Sequence, residues 1–153
     1  MDACFYYIHQ LAKHSKNIKY KATTTNFWFQ NKIKDIYPTF AKDPHVLMSK
    51  LSLVDIVTGN SLPLSTPWAN VDYVFMPILP TNMAHWMLGV LQFRSHTLTV
   101  FNSIDKSYRD WKVLQAIKPY VKILHALMNA LEISNKDPNY HGPGCVELRS
   151  SST

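Results

Sequence analysis

The feature that most constrains the fold is a pair of apolar runs in the middle of the chain, at residues 86–93 and 97–101. Both are rich in β-branched and aromatic residues that alternate with polar or small ones, a pattern typical of half-buried strands. Only a few residues around Arg94 and Ser95 separate the runs, so the two strands are predicted to pair as an antiparallel hairpin. The predicted opposite pairs are Leu91 with Leu98, Gly89 with Val100, and Met87 with Asn102.

Two polar side chains, His85 and Asn102, come together at the open end of this hairpin. Alternate residues of a strand share a face, so His85, Met87 and Asn102 are predicted to lie on the same face. His85 and Asn102 are then diagonal neighbours, with backbones roughly 7–8 Å apart. A carboxamide oxygen in that position accepts the Nδ1 proton of the imidazole and leaves Nε2 free to act as a base. On spacing alone, the sequence favours a half-buried structural histidine and an asparagine that caps a turn.

Helical periodicity surrounds these strands. Before and after them, apolar residues recur three and four positions apart, as in amphipathic helices. Pro38 is expected to end one helix early, and Pro119 is expected to kink another or divide it in two, because proline lacks a backbone donor. The predicted elements are, in order, a helix at 2–14, a helix that begins near Phe27, a short helix at 42–56, strands at 71–76, 86–93 and 97–101, and a long helix at 108–133.

These elements predict which residues form the core. Trp28 and Trp111 stand at helical spacing and are predicted to be buried. Residues 134–153 are predicted to be a loop followed by a poorly ordered tail. The predicted fold class is α+β, with a small, mostly antiparallel sheet flanked by helices. The predicted buried stripe of the long helix is Leu114, Ile117, Val121, Leu124, Met128 and Leu131.

Composition limits the class of protein. The chain has 153 residues, 46% hydrophobic and 17% charged, which suits one domain with a buried core. No apolar run reaches the roughly 18 residues of a membrane span, and the N-terminus has no secretory pattern. Cys4 and Cys145 are therefore expected to be reduced thiols of a monomer in the nucleus or cytoplasm. No histidine has metal-ligand spacing, so no metal or cofactor is predicted.

The net charge of +6 makes an acidic partner a further possibility. A basic surface favours an acidic partner such as nucleic acid. Lysines are concentrated in the first third of the chain, which fits a solvated surface as well as a binding site. A basic nucleic-acid-binding module is therefore one of the alternatives.

Residues 67–103 resemble the ubiquitin-like protease family of cysteine peptidases, which remove SUMO-type modifiers, and in particular its divergent plant members. The family pattern is a Trp, a Val-Asp-x-Val and a Pro, a His-Trp, and a hairpin that ends in an aromatic residue, an Asp and a Ser. The matching residues are Trp68, Val71-Asp72-Tyr73-Val74, Pro77, His85-Trp86 and Phe101-Asn102-Ser103. The resemblance implies the adenain-like cysteine-protease fold, with residues 1–153 forming one incomplete catalytic domain.

The resemblance also implies site roles. His85 is the expected general base, and Asn102 stands where the family usually has Asp. An Asn can orient a catalytic His because a thiolate–imidazolium pair needs less help than a serine does. Trp86 and Trp68 are expected to line the channel that holds the modifier's Gly-Gly tail. The implied partner is SUMO or another ubiquitin-like modifier.

The nucleophile is the part of the family pattern that this sequence matches least. Cys145 is the only cysteine that follows His85, and it is the candidate nucleophile. Gly142 matches the family's Asn-Gly-x-Asp-Cys-Gly motif, but Gly144 and Val146 stand where Asp and Gly are expected. Cys145 is therefore expected to lie in a loop that precedes the missing motif, in a chain truncated at both ends.

Three functions follow from the sequence. The first is a cysteine-type peptidase or isopeptidase that cleaves after a Gly-Gly terminus. The second is a non-catalytic, truncated pseudoprotease that binds a ubiquitin-like modifier. The third is the nucleic-acid-binding module that the net charge allows.

Overall fold

The alternating sequence in the middle of the chain forms the centre of a five-stranded sheet with the strand order β1-β2-β3-β4-β5. The computed structural model describes residues 21–49, 51–60, 66–79, 86–95, 97–102, 110–133 and 145–150. The strands are β1 (Ala22–Thr24), β2 (Tyr73–Ile78), β3 (Met87–Gln92), β4 (Thr97–Asn102) and β5 (Cys145–Ser150).

The hairpin formed by β3 and β4 has the register that the sequence predicts. Leu91 lies opposite Leu98, and Gly89 lies opposite Val100. The same register leads to the pair Leu88 and Phe101 and, one step further, brings Met87 level with Asn102. β2 pairs antiparallel with β3, so the three central strands form an antiparallel unit. The α+β prediction with an antiparallel centre is confirmed.

The two edge strands join in parallel, which the sequence pattern did not predict. β1 pairs in parallel with β2, and β5 pairs in parallel with β4. Within the segment 134–153, where the sequence predicts a loop and a tail, Cys145–Ser150 form β5. Apolar and polar residues alternate here at Val146, Glu147 and Leu148, a short strand pattern that becomes stable only against the open edge of β4.

Within the described residues the α-helices are α1 (Phe27–Lys42), α2 (Leu51–Thr58) and α3 (Asp110–Ala130). Asn26 caps α1, because its Oδ1 accepts the Phe29 N–H at 3.0 Å. The predicted early end of this helix is wrong, since α1 continues through Pro38 to Lys42. Pro38 is exposed while Ile36 and Phe40 on either side are buried, so core packing maintains the helix despite one missing donor.

In the predicted long helix, Pro119 lies inside one continuous element, α3, rather than between two helices. Its buried face differs in phase from the predicted stripe, because Leu114 is 44% exposed while Val113 is 2% exposed. Ile117, Leu124 and Met128 are buried as predicted. Successive residues of an α-helix point about 100° apart around its axis, so Val113 faces the core while Leu114 faces solvent. The buried residues of α3 are Val113, Ile117, Tyr120, Ile123, Leu124, Leu127 and Met128.

Trp28 is not a core residue as predicted. It is 42% exposed, and the Lys32 ammonium lies 5.4 Å from the centre of its ring. The helix buries the opposite side, which includes Phe29 and Ile33. A helix has one apolar face, and the tertiary contacts of α1 with β2 and α3 select the face that contains Phe29 rather than Trp28.

The core lies between one face of the sheet and the helices. Alternate residues of the central strands form this face, including Val74, Leu91 and Val100. Gly89 belongs to it because β2 approaches closely: a Cβ at this position would lie 2.7 Å from Ile78 Cδ1. Because the middle of this face is apolar, polar side chains can meet only near the ends of β2, β3 and β4.

Candidate functional site

The open end of the β3–β4 hairpin is the first part of the candidate site. Asn102 is the last residue of β4 and is half-buried. His85 lies outside the described residues, two positions before Met87 in the chain. The register extends to Asn102 at the level of Met87, and the predicted neighbourhood of His85 and Asn102 stays a prediction.

Trp86 connects this end of the sheet to helix α1. Its ring is half-buried and meets the Phe27 ring edge to face, with centroids 5.3 Å apart and an angle of 66° between the planes. Phe27 is 38% exposed, and Trp28 follows it on the same turn of α1. We call Phe27, Trp28 and Trp86 the aromatic surface. Phe27 and Trp28 expose large aromatic side chains at the start of α1, and such side chains are enriched at binding surfaces.

Trp68 lies in the core and does not belong to this surface. It is 1% exposed, and its ring lies 5.7 Å from that of Phe29 and 6.0 Å from that of Phe93. The predicted role of Trp68 as a wall of the substrate channel stays a prediction, and the contacts seen here are those of a core residue. Its position in the short 3₁₀ turn Trp68–Asn70, just before β2, directs the indole beneath the sheet.

Asp72, which matches the Val-Asp pattern, has a structural contact. Its Oδ2 accepts the Lys21 N–H at 2.9 Å. In return, the Lys21 carbonyl accepts the N–H groups of Asp72 and Tyr73 at 2.8 and 3.2 Å. Asp72 therefore fixes the start of β1 beside β2 by backbone hydrogen bonds.

Cys145 lies at the far end of the sheet from Asn102. In the parallel pair of β4 and β5, Cys145 lies opposite Thr97, while Ser150 lies opposite Asn102. The full length of β4, roughly 17 Å at about 3.3 Å per residue, therefore separates the backbones of Cys145 and Asn102. A nucleophile and its base must approach to about 3 Å. Cys145 begins a strand rather than lying in a loop, and the structure does not bring it together with Asn102.

A hydrogen-bonded cluster that the sequence analysis missed lies where β2 ends. Gln30 is 1% exposed, and its Oε1 accepts the Tyr120 hydroxyl at 2.7 Å and the Leu79 N–H at 3.3 Å. The Lys34 ammonium donates to the Leu79 carbonyl at 2.7 Å. We call Gln30, Lys34, Leu79 and Tyr120 the Leu79 clamp. The one indication of this cluster in the sequence is Gln30 itself, a polar residue on the apolar face of α1.

Burial shifts the ionisation of the two titratable members of the clamp. Loss of solvent raises the pKa of the Tyr120 hydroxyl. Loss of solvent also lowers the pKa of the Lys34 ammonium, against a smaller opposing effect of the Asp35 carboxylate. The clamp therefore combines a hydroxyl that stays neutral with an ammonium that is partly desolvated.

In the part of the chain that the structure describes, no three His, Cys, Asp or Glu side chains are grouped as metal ligands. No helix in that part has the length and apolarity needed to cross a membrane.

Comparison with known proteins identifies the family. The model of the Ulp1 protease family, C-terminal catalytic domain, matches residues 1–149. The chain is similar to the solved SUMO protease Ulp1 with its catalytic cysteine oxidized to a sulfinic acid, at 14% identity and a TM-score of 0.49, covering 95% of this chain and 52% of that one. It is also similar to the C-terminal Ulp1 protease domain in complex with Smt3, the yeast ortholog of SUMO, at 15% identity and a TM-score of 0.49, with 95% and 52% coverage.

The chain thus spans about half the length of these solved domains. No curated protein sequence matches it. The family model covers nearly all of the chain, and the resemblance seen in residues 67–103 is confirmed. The chain therefore belongs to the Ulp1 protease family, by its C-terminal catalytic domain.

Proposed function

We propose that this chain recognises a ubiquitin-like modifier of the SUMO class and carries the base half of a cysteine-peptidase site. In this proposal His85 is the general base and Asn102 orients it. The observation that carries the proposal is the hairpin register, which brings Asn102 level with Met87, two residues from His85, in a member of the Ulp1 protease family. We also propose that the chain acts in the nucleus or cytoplasm.

The chemistry of this half-site follows from its two residues. The Asn102 carboxamide oxygen accepts a hydrogen bond from the Nδ1–H of His85 and leaves Nε2 unprotonated. In a complete site of this kind, Nε2 takes the proton of a cysteine thiol and the thiolate adds to the carbonyl carbon of the terminal glycine. The C–N bond to the leaving amine then breaks as the imidazolium returns the proton to that amine, and water hydrolyses the resulting thioester. The register of β5 argues against Cys145 as that thiol, because its backbone is roughly 17 Å from Asn102. We therefore propose that this 153-residue chain binds the modifier and does not cleave it.

The aromatic surface is the proposed contact for the tail of the modifier. Trp86 follows the proposed base directly in the chain, and Phe27 contacts it edge to face. A tail that ends in Gly-Gly has no side chains at its end, so flat aromatic rings can approach its backbone closely. The exposure of Phe27 and Trp28 provides apolar area that binding would remove from water.

Calorimetric titration of the complete chain with SUMO and with ubiquitin tests this function. We expect SUMO to bind, and Trp28→Ala to weaken binding by about tenfold, as for a moderate interface hot spot. Leu114→Ala is the matched control, since Leu114 is 44% exposed on α3 and lies outside the aromatic surface. Its affinity should equal that of the wild-type chain.

Failure of the wild-type chain to bind either modifier would contradict the proposal. In that case, tight binding to DNA or RNA that falls steeply with salt would favour the basic module instead. Equal losses for Trp28→Ala and Leu114→Ala would remove the aromatic surface from the interface.

A further inference from the structure

We infer that Gln30 and Lys34 are positioning residues that fix the end of β2, from which the chain leads to His85, an inference that rests on the proposed function of His85. Neither residue is predicted to touch the modifier or the reacting atoms. Their proposed role is to hold Leu79, the point at which the chain leaves β2.

The first step concerns Leu79, the residue after β2. Both of its backbone polar groups bind side chains of α1: the N–H donates to Gln30 Oε1 at 3.3 Å, and the carbonyl accepts from Lys34 at 2.7 Å. Two bonds to the backbone of one residue, one in each of the peptide units that flank its Cα, fix the direction of the chain as well as its place, which apolar packing alone does not. The chain therefore leaves the sheet from a point defined by α1.

The second step concerns what holds Gln30 in place. Its Oε1 also accepts the Tyr120 hydroxyl from α3 at 2.7 Å, and its Nε2 donates to Asn31 Oδ1 at 2.8 Å. A buried carboxamide that uses both its acceptor and its donor groups has one favourable rotamer. The clamp thus joins α3, α1 and the end of β2 through a single side chain.

The third step concerns the other end of the segment. Trp86 follows His85 in the chain, and its ring packs against Phe27 of α1. Phe27, Gln30 and Lys34 occupy positions i, i+3 and i+7 of that helix, which lie along one face. One face of α1 therefore holds both ends of the connection that contains His85.

Hydrogen exchange measured by mass spectrometry on the complete chain tests the structural part. Gln30→Met keeps the length of the side chain but leaves the Leu79 N–H and the Tyr120 hydroxyl without an acceptor. We expect exchange in the peptide covering residues 79–86 to rise by roughly tenfold relative to the peptides of β3 and β4. Gln30→Glu, which keeps the acceptor, should restore protection.

Val57→Ala supplies the control for a purely structural effect, because Val57 is 1% exposed in α2 and has no part in the clamp. It should raise exchange evenly over the chain. A similarly even rise in Gln30→Met would overturn the inference.

The functional readout is the affinity for SUMO with and without its Gly-Gly tail. We expect Gln30→Met to weaken binding of the complete modifier by about tenfold, while binding of the tail-less modifier is unchanged. Unchanged binding of both forms, despite faster exchange at 79–86, would overturn the positioning role. A wild-type chain that binds no modifier would instead overturn the proposed function, so the two failures are distinct.

Discussion

At the scale of single residues, the polar groups of this domain act mainly on backbone atoms. Asp72 accepts the Lys21 N–H, and Gln30 accepts the Leu79 N–H. Each bond fixes a place where a strand begins or ends. Because buried polar groups are costly when unpaired, such contacts define positions more strictly than apolar packing does.

Tyr120 provides a test at this scale through its titration. Tyr120→Phe should lower the free energy of unfolding by about 1 kcal/mol near neutral pH, because Gln30 loses a donor. Burial raises the pKa of the Tyr120 hydroxyl above its usual 10.0, so the unfolded chain ionises first as the pH rises. The wild-type chain should therefore lose stability above this pH by up to about 1.4 kcal/mol per pH unit, a loss that the Phe variant lacks.

Urea unfolding of both chains at about pH 8 and about pH 11 measures this difference. The advantage of the wild-type chain should be present at the lower pH and should shrink or reverse at the higher one. A difference that is constant across this range would contradict the burial of the hydroxyl.

At the scale of elements, helix α1 organises the candidate site. Its first turn carries Phe27 and Trp28, and the same helix contributes Gln30 and Lys34 to the Leu79 clamp. The start of α1 is fixed by Asn26, whose side chain accepts the Phe29 N–H. The position of this helix therefore affects both the aromatic surface and the clamp.

Removal of this cap is the corresponding prediction. Asn26→Ala should lower the free energy of unfolding by about 1 kcal/mol, whereas Asn26→Asp, which keeps the acceptor, should be close to the wild-type value. Denaturant unfolding of the three chains measures the difference. Equal stabilities for the Ala and Asp variants would show that the cap contributes nothing.

The same scale shows what the sequence could predict. The β3–β4 register followed from alternation and a short turn, both of which are local. The exposure of Trp28 and the continuation of α1 past Pro38 depend on which helix face meets β2 and α3, and no local pattern contains that information. The clamp joins residues 30, 79 and 120, so sequence reasoning had only one buried-face glutamine to indicate it.

At the scale of the whole molecule, the strand topology separates the chemical groups. The parallel addition of β5 to β4 brings Cys145 level with Thr97, at the turn end of the hairpin. Asn102 lies at the open end, and the proposed base His85 precedes β3 in the chain. Parallel pairing between distant segments is not visible in a local pattern, which is why the sequence left Cys145 as a candidate nucleophile.

The most direct test of binding without cleavage is the intact mass of the chain after incubation with SUMO that carries a thiol-reactive C-terminal electrophile. Cys145→Ala and His85→Ala are the controls. We expect the wild-type chain to bind SUMO reversibly and to form no covalent adduct that depends on both Cys145 and His85. A single adduct that is lost in both variants would contradict it, because Cys145 would then be a working nucleophile next to His85.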